Sequence, residues 1–141
     1  MRFPTNKYLF AGALLSGLAG GIVLRIFDPA TSGMFPPCPF HYLTGLYCPG
    51  CGSLRAMHQL LHGNLEAAWA MNPLTVVLLP FVGYGLAAEA LLQIRGRRLT
   101  GWILPGFWIQ VLCGVIVVFG VVRNLPIYPF NLLAPGAMLH L

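Results

Sequence analysis

The chain has 141 residues, of which 57% are hydrophobic and only 8% are charged, and its formal net charge is +5. Soluble domains carry roughly 25% charged residues, so this composition excludes an ordinary water-soluble globular protein and indicates a membrane protein. The basic residues lie at the ends of apolar runs and form no patch interleaved with aromatic residues. The positive charge therefore does not indicate nucleic-acid binding.

An apolar run over residues 8–26 is the first predicted element. Its length is close to the roughly 20 residues that a membrane-spanning helix needs. A basic start, an apolar run and small residues at 19–21 would also suit a cleaved signal peptide. Because apolar residues resume at once with Ile22, we interpret the segment as an uncleaved membrane anchor.

Small residues recur at every fourth position of this first helix and predict a smooth face. They form two strips: Gly12, Ser16 and Gly20, and Ala13, Gly17 and Gly21. Such strips let another helix approach closely. The glycine-rich face therefore predicts packing against the protein's own later helices, or against a homodimer mate or another membrane protein.

A hydrophobic but irregular loop follows, and it continues into short helices that end at residue 72. Asp28-Pro29 and Pro36-Pro37 interrupt helical structure. Aromatic residues favour the membrane interface, where backbone groups can still be hydrated. We therefore expect residues 35–72 to form an interfacial helical cap against the bilayer.

Four potential metal ligands fall within this cap, at Cys38, His41, Cys48 and Cys51. The C-x2-H and C-x2-C spacings place pairs of ligands close enough to share one ion, and thiolate with imidazole ligands suits zinc, or less readily iron. If the chain folds back, His58 or His62 is an alternative fourth ligand.

The cap also predicts a helix over Ser53–His62, with Ser53 as its N-cap. Its polar stripe carries Arg55, His58 and His62. Arg55 either binds lipid headgroups or pairs with a thiolate or an anionic ligand. The two histidines, one turn apart, either clamp a metal ion or are surface polar residues.

Two further spans are predicted at residues 73–94 and 100–122, with Asn72 capping the second and Pro73 at its first position. The positive-inside rule places the N-terminus in the cytoplasm and the cysteine-bearing loop outside. The inner charges are Arg2, Lys7, Arg95, Arg97 and Arg98, and the outer ones are Arg25, Arg55 and Arg123, partly offset by Asp28 and Glu66. We expect one all-α membrane domain over residues 1–141.

Three functions remain open for the cysteines. A zinc site would close the loop in a non-enzymatic, structural or assembly role. A thiol–disulfide oxidoreductase would use Cys48 and Cys51, with the helix start and Arg55 lowering the pKa of the Cys51 thiol. A structural disulfide from Cys38 to Cys48 or Cys51 would instead staple a subunit that binds a partner. No Walker loop, Ser-His-Asp arrangement or nucleotide fingerprint is present.

The joint pattern resembles a family of small bacterial membrane proteins known as domain of unknown function 2752. The matching positions are Cys38-Pro39, Thr44-Gly45-Leu46, Cys48-Pro49-Gly50-Cys51-Gly52, Arg55, Gly63 and Asn72-Pro73. The resemblance covers roughly residues 35–90 and implies an integral protein of the bacterial inner membrane with a paired-cysteine segment. It implies roles for the three cysteines, Arg55 and Asn72, whereas His41 lies outside the family pattern. The family brings no established reaction.

Overall fold

The structure is a computed structural model that describes residues 7–95 and 106–137. Over these residues it contains six α-helices, a short 3-10 helix and no strand, which confirms the predicted all-α class. The helices are α1 (Lys7–Ile26), α2 (Pro39–Thr44), α3 (Ser53–Leu61), α4 (Leu65–Met71), α5 (Pro73–Arg95) and α6 (Gly106–Val122), and the 3-10 helix is Phe130–Leu133.

The three long helices fall where the spans are predicted, but they differ in length. In the described part of the chain, only α5 is long and apolar enough to cross a membrane, over Pro73–Leu91. The apolar stretches of α1 (Phe10–Ile26) and α6 (Gly106–Val122) are shorter. Residues 100–105 of the predicted third span lie outside the described residues, as do Arg2, Arg97 and Arg98. The three-span arrangement and its orientation stay predictions.

Most apolar side chains of the long helices are exposed. On α5 they include Phe81 and Val82, which are 60% and 56% exposed, and on α6 they include Val117 and Val118 at 63% and 60%. A helix that is apolar all round and uncovered needs an apolar surrounding, because water would leave this surface unfavourably hydrated.

The buried core lies instead in the short helices. Helix α3 packs on α1, α4 and α5, and α4 packs on α5 and the 3-10 helix. At this centre, the side chains of Ala56 on α3 and Ala68 on α4 are fully buried. Their small size allows the helix backbones to approach closely, and Gly63, at a φ of 80°, makes the tight turn between α3 and α4.

Two side chains fasten the end of α1 to α3. The His58 ring donates from Nδ1 to the carbonyl of Leu24, and the Arg25 guanidinium donates to the carbonyl of Leu61. Each bond satisfies a carbonyl in the last turn of a helix, where no intrahelical donor is present. The C-terminal end of α1 is therefore held against the cap.

The cap predictions are corrected at one helix start and confirmed at another. Ser53 is the first residue of α3 rather than its cap, because Gly52 occupies the cap position with a φ of 85°. Asn72 does cap α5: its Oδ1 accepts the Thr75 N–H at 3.1 Å, with Pro73 as the first helical residue.

Candidate metal centre

Three thiols converge on one point beside the start of α3. The Cys48 Sγ lies 3.5 Å from the Cys38 Sγ and 3.2 Å from the Cys51 Sγ. All three sulfur atoms lie within 4.8 Å of one another, and all three cysteines are free thiols. One metal ion can reach all of them.

These distances fit a shared metal better than a single disulfide. Tetrahedral coordination with metal–sulfur bonds of about 2.3 Å separates two sulfurs by about 3.8 Å, whereas a disulfide needs about 2.05 Å. The spacings of 3.2 and 3.5 Å are closer to the first value. A disulfide would also use two of the three converging thiols and leave the third without a role.

Local backbone geometry produces the convergence. The segment 47–53, called here the cysteine turn, folds back on itself as the Cys51 N–H donates to the Cys48 carbonyl at 3.0 Å. Cys38 is the N-cap of α2, and Gly45 caps the other end of that helix in the left-handed region at a φ of 72°. This sharp end returns the chain towards Cys48.

Asn72 holds the cysteine turn in place through side-chain hydrogen bonds. It is completely buried, and its Nδ2 donates to the carbonyls of Pro49 at 3.0 Å and Cys51 at 3.2 Å, and to the Ser53 hydroxyl at 3.1 Å. Ser53 in turn contacts the Thr75 hydroxyl at 2.7 Å. One amide thus caps α5 and fixes the turn that carries the thiols.

Two residues that directly follow α6 also donate hydrogen bonds to the cysteine turn. Arg123 is only 1% exposed, and its Nη1 donates to the carbonyls of Cys48 at 2.9 Å and Pro49 at 3.2 Å. Asn124 pairs with both backbone groups of Tyr47: its Oδ1 accepts the N–H and its Nδ2 donates to the carbonyl, each at 2.8 Å.

Two glycines allow the close approaches that this arrangement needs. A β-carbon on Gly52 would lie 2.5 Å from the Met71 carbonyl oxygen, and one on Gly120 would lie 2.8 Å from the Pro49 Cγ. Both distances are shorter than side chains tolerate. The glycines therefore let α4 and α6 contact the cysteine turn directly.

The environment separates the acidities of the thiols. Burial, aided by the neighbouring Cys48 thiol, raises the pKa of Cys51 from 9.0 to about 12. The pKa of Cys38 is lowered, chiefly because the His41 backbone N–H donates to its sulfur. Burial also lowers the pKa of Arg123, an effect that the nearby Cys51 and Cys48 oppose. A Cys51 thiol that resists ionisation is unlike the attacking thiolate of an oxidoreductase.

The structure brings together the three predicted cysteine ligands, and among the described residues this group does not include a histidine. His41 contacts the Leu46 carbonyl through Nδ1 at 3.2 Å and stacks on the Tyr47 ring. Its role as fourth ligand stays a prediction.

Three predicted supporting residues, Arg55, His58 and His62, lie on α3 or at its C-terminal cap. His58 contacts α1 as described above, and His62 donates from Nδ1 to the His58 carbonyl at 2.8 Å. The two rings lie 4.4 Å apart, and Arg55 is exposed. The fourth supporting residue, Asn72, does contact the cysteine turn, through its hydrogen bonds to the carbonyls of Pro49 and Cys51.

The site and fold define an α-helical protein in which an apolar scaffold carries a three-thiol cluster suited to a metal ion. Comparison with known families places this cluster in context: residues 38–86 match the family model described as protein of unknown function (DUF2752). The match confirms the resemblance over the cysteine-bearing segment, including Asn72 and the first half of α5. No curated protein and no solved structure matches the chain.

Sequence reasoning missed Arg123 and Asn124 as parts of the site, since both lie beyond the matched segment. Arg123 was interpreted as a topology signal. The chain nevertheless has only three acidic residues, Asp28, Glu66 and Glu89. An arginine that directly follows an apolar run, with so few acids to pair with, is a signal that it interacts with the thiols or with backbone carbonyls.

Proposed function

We propose that this protein is a membrane-embedded, non-enzymatic metal-binding protein that holds one ion at Cys38, Cys48 and Cys51. The observation that carries the proposal is the mutual approach of these three sulfur atoms to within 4.8 Å. Three convergent thiols are a ligand set for a transition metal, and a bound metal ion deprotonates the thiols that coordinate it, including Cys51 with its raised pKa.

The proposed role of the ion is structural. The metal would join α2 to the cysteine turn, two pieces of chain without a large apolar core of their own. Within the described residues, the buried hydrophobic side chains are Leu24, Cys51, Ala56, Ala68 and Ala70, most of which are small. Closure by an ion contributes folding free energy that such a core cannot supply.

Zinc is the proposed metal, with iron as the second choice, because thiolate-rich tetrahedral sites favour these two ions. We propose His41 as the fourth ligand through Nε2, since its Nδ1 is occupied by the Leu46 carbonyl. A water molecule or a histidine of α3 is the alternative. Support for His41 comes from its place one turn after Cys38 and its stacking on Tyr47.

We further propose that α1, α5 and α6 all span a bacterial inner membrane, with the N-terminus inside and the cap outside. The length of α5 and the exposed apolar surfaces of α5 and α6 support this arrangement. The lipid bilayer is then the main partner, and nucleic acid is not one. The small-residue face of α1 offers space for a second copy or another membrane protein, since nothing lies within 4 Å of a β-carbon built on Gly12, Gly17 or Gly20.

A membrane thiol oxidoreductase is the second candidate function. The 3.2 Å separation of the Cys48 and Cys51 sulfurs favours it, because the pair is close enough to form a disulfide after a small movement. The raised pKa of Cys51 opposes it. A subunit stapled by a disulfide from Cys38 to Cys48 is the third candidate, supported by their 3.5 Å separation.

Elemental analysis of detergent-purified protein tests the proposal, with Cys48→Ser as the variant and Cys113→Ser as its matched control. Cys113 is an exposed cysteine on α6, outside the cluster. We expect about one zinc per chain in the wild type and in Cys113→Ser, and a loss of most of it in Cys48→Ser, because a structural site of this kind needs every thiolate.

Thiol trapping on the same preparations separates the candidates. Free thiols that become reactive only after chelation support the metal site. A Cys48–Cys51 pair that cycles between disulfide and dithiol in metal-free wild type would support the oxidoreductase, and a stable disulfide from Cys38 would support the stapled subunit. Wild-type protein without bound metal contradicts the proposal.

A further inference from the structure

Arg123 has an unusual environment for a cation. Its side chain is 1% exposed, yet only Nη1 has hydrogen-bond partners, the carbonyls of Cys48 and Pro49. Nε and Nη2 are buried and have no partner among the described residues. A buried guanidinium with two unused donors is costly unless an anion comes close to it.

Among residues 7–95 and 106–137, no carboxylate provides that anion. The ionisable groups whose charge acts on Arg123 are the Cys51 and Cys48 thiols and the Tyr47 phenol. The guanidinium carbon also lies 4.9 Å from the centre of the Phe119 ring and 5.9 Å from that of Tyr47. The aromatic rings cover the cation, but they do not neutralise it. Of these ionisable groups, the thiols of the cysteine cluster are the ones that a bound metal ion would convert to anions.

We propose that Arg123 is the counter-charge of the metal site and that it matches the site to a divalent ion. The inference rests on the proposed metal-binding function. Three neutral thiols that bind a divalent ion form three metal–sulfur bonds and release three protons to solvent. The product carries a net charge of −1, which the +1 charge of Arg123 balances.

A monovalent ion in the same three-thiolate site would leave a net charge of −2, of which a single arginine balances half. Buried charge that is not balanced is strongly unfavourable. The charge balance therefore favours Zn²⁺ or Fe²⁺ with a neutral fourth ligand, such as imidazole or water, over Cu⁺.

Cobalt(II) titration of the metal-free full-length protein in detergent tests this role. The absorbance of sulfur-to-cobalt charge transfer, divided by the amount of bound cobalt, reports how many thiolates coordinate the ion. The variants are R123Q, which removes the charge, and R123K, which keeps it. N124A is the control: it removes the hydrogen bonds to Tyr47 that neighbour the site, but no charge.

We expect R123Q to weaken cobalt binding by about 10- to 100-fold, the usual effect of losing a side chain that supports the metal ligands. We also expect its absorbance per bound cobalt to fall from a three-thiolate towards a two-thiolate value, because one cysteine then stays protonated. R123K should keep the wild-type absorbance per cobalt. N124A should keep it as well, even where its affinity falls.

Wild-type affinity and absorbance in a folded R123Q would overturn the inference while leaving the metal site intact. An equal fall of absorbance per cobalt in R123Q and N124A would also overturn it, since the effect would then be structural. If R123Q does not fold, R123K decides: a folded R123K that loses cobalt contradicts a role for charge. Wild-type protein that binds no cobalt would refute the proposed function itself.

Discussion

The cysteine turn and the long helices differ in what holds them in place. In the turn, the carbonyls of Cys48, Pro49 and Cys51 accept hydrogen bonds from the buried side chains of Asn72 and Arg123. Along the middle of α5 and α6, by contrast, the side chains are apolar and exposed. Polar side-chain contacts are concentrated in one region, and apolar surface in the other.

The contrast follows from backbone chemistry. A helix satisfies its own N–H and C=O groups and can stand alone in an apolar solvent, whereas an irregular turn cannot. The cysteine turn therefore needs donors from elsewhere, and it receives them from residues that immediately precede α5 and follow α6. Individual polar contacts hold the cap in place, so single substitutions there should change the free energy of unfolding by a large amount. Matched substitutions in the long helices should change it by a small amount.

The largest effect is expected at Asn72. Asn72→Ala removes the donors to three acceptors and the cap of α5, and should lower the free energy of unfolding in detergent by about 4 kcal/mol, from about 1 kcal/mol for each contact. Asn72→Asp is the control, because its carboxylate still caps the Thr75 N–H but cannot donate to Pro49 or Cys51. If Asn72→Asp had the same free energy of unfolding as the wild type, that result would contradict the role of Asn72 in holding the turn.

A somewhat smaller effect is expected at Gly52. Gly52→Ala places a β-carbon against the Met71 carbonyl at a φ of 85°, and should cost about 3 kcal/mol of unfolding free energy. Gly50→Ala, two residues earlier, puts its β-carbon 3.9 Å from the Cys48 Sγ, an ordinary contact. We expect that control to change stability by less than about 0.5 kcal/mol. Similar thermal midpoints for the two variants would contradict the close approach of α4.

Two glycines of α6 allow the two regions to be compared within one helix, since Gly120 lies against the cysteine turn and Gly114 does not. Gly120→Ala pushes a β-carbon onto the Pro49 ring and should cost about 1–2 kcal/mol, since the ring or the helix must shift. Gly114→Ala lies on the same helix with open space around it and should be nearly neutral. Equal thermal midpoints for the two variants would show that α6 does not contact the cysteine turn.

The smallest change is one of pH dependence, and it concerns the metal-free protein. Because the pKa of Cys51 is raised to about 12 and that of Cys38 is lowered, alkylation of Cys38 should level off at a lower pH than alkylation of Cys51, which should still rise above pH 9. The raised pKa also means that stability present below about pH 9 is lost as the pH rises towards 12. Mass spectrometry of each alkylated site measures the alkylation rate as a function of pH. The pKa of a thiol sets the pH at which its rate levels off, whereas burial of the thiol lowers the rate at every pH. Coincident profiles would contradict the two environments.

Sequence reasoning predicted the all-α class, the long helices and the capping role of Asn72, because apolar run length and Asn-Pro are local signals. The N-cap at Ser53 was wrong for a reason that is not local: the close approach of Met71, at the end of α4, requires a glycine at position 52. Arg123 and Asn124 could not be placed at the site from local patterns. Their contacts with residues 47–49 span more than 70 positions.

The number of membrane spans also depends on more than the local sequence, because the bilayer can adapt to a short helix. Length and apolarity qualify α5 on its own, whereas α1 and α6 have shorter apolar stretches and depend on how the bilayer adapts to them. The position of His41 shows the same limit. Its C-x2-H spacing suggests a ligand, but the ring also stacks on Tyr47 and contacts the Leu46 carbonyl through Nδ1.

X-ray absorption spectroscopy of the metal in purified wild-type protein tests whether the three cysteines share one ion, because it counts the sulfur atoms bound to that ion. We expect the ion to have three sulfur neighbours at about 2.3 Å and one nitrogen or oxygen neighbour at about 2.0–2.1 Å. A first shell with fewer than three sulfurs, or protein without bound metal, would contradict a site built from Cys38, Cys48 and Cys51.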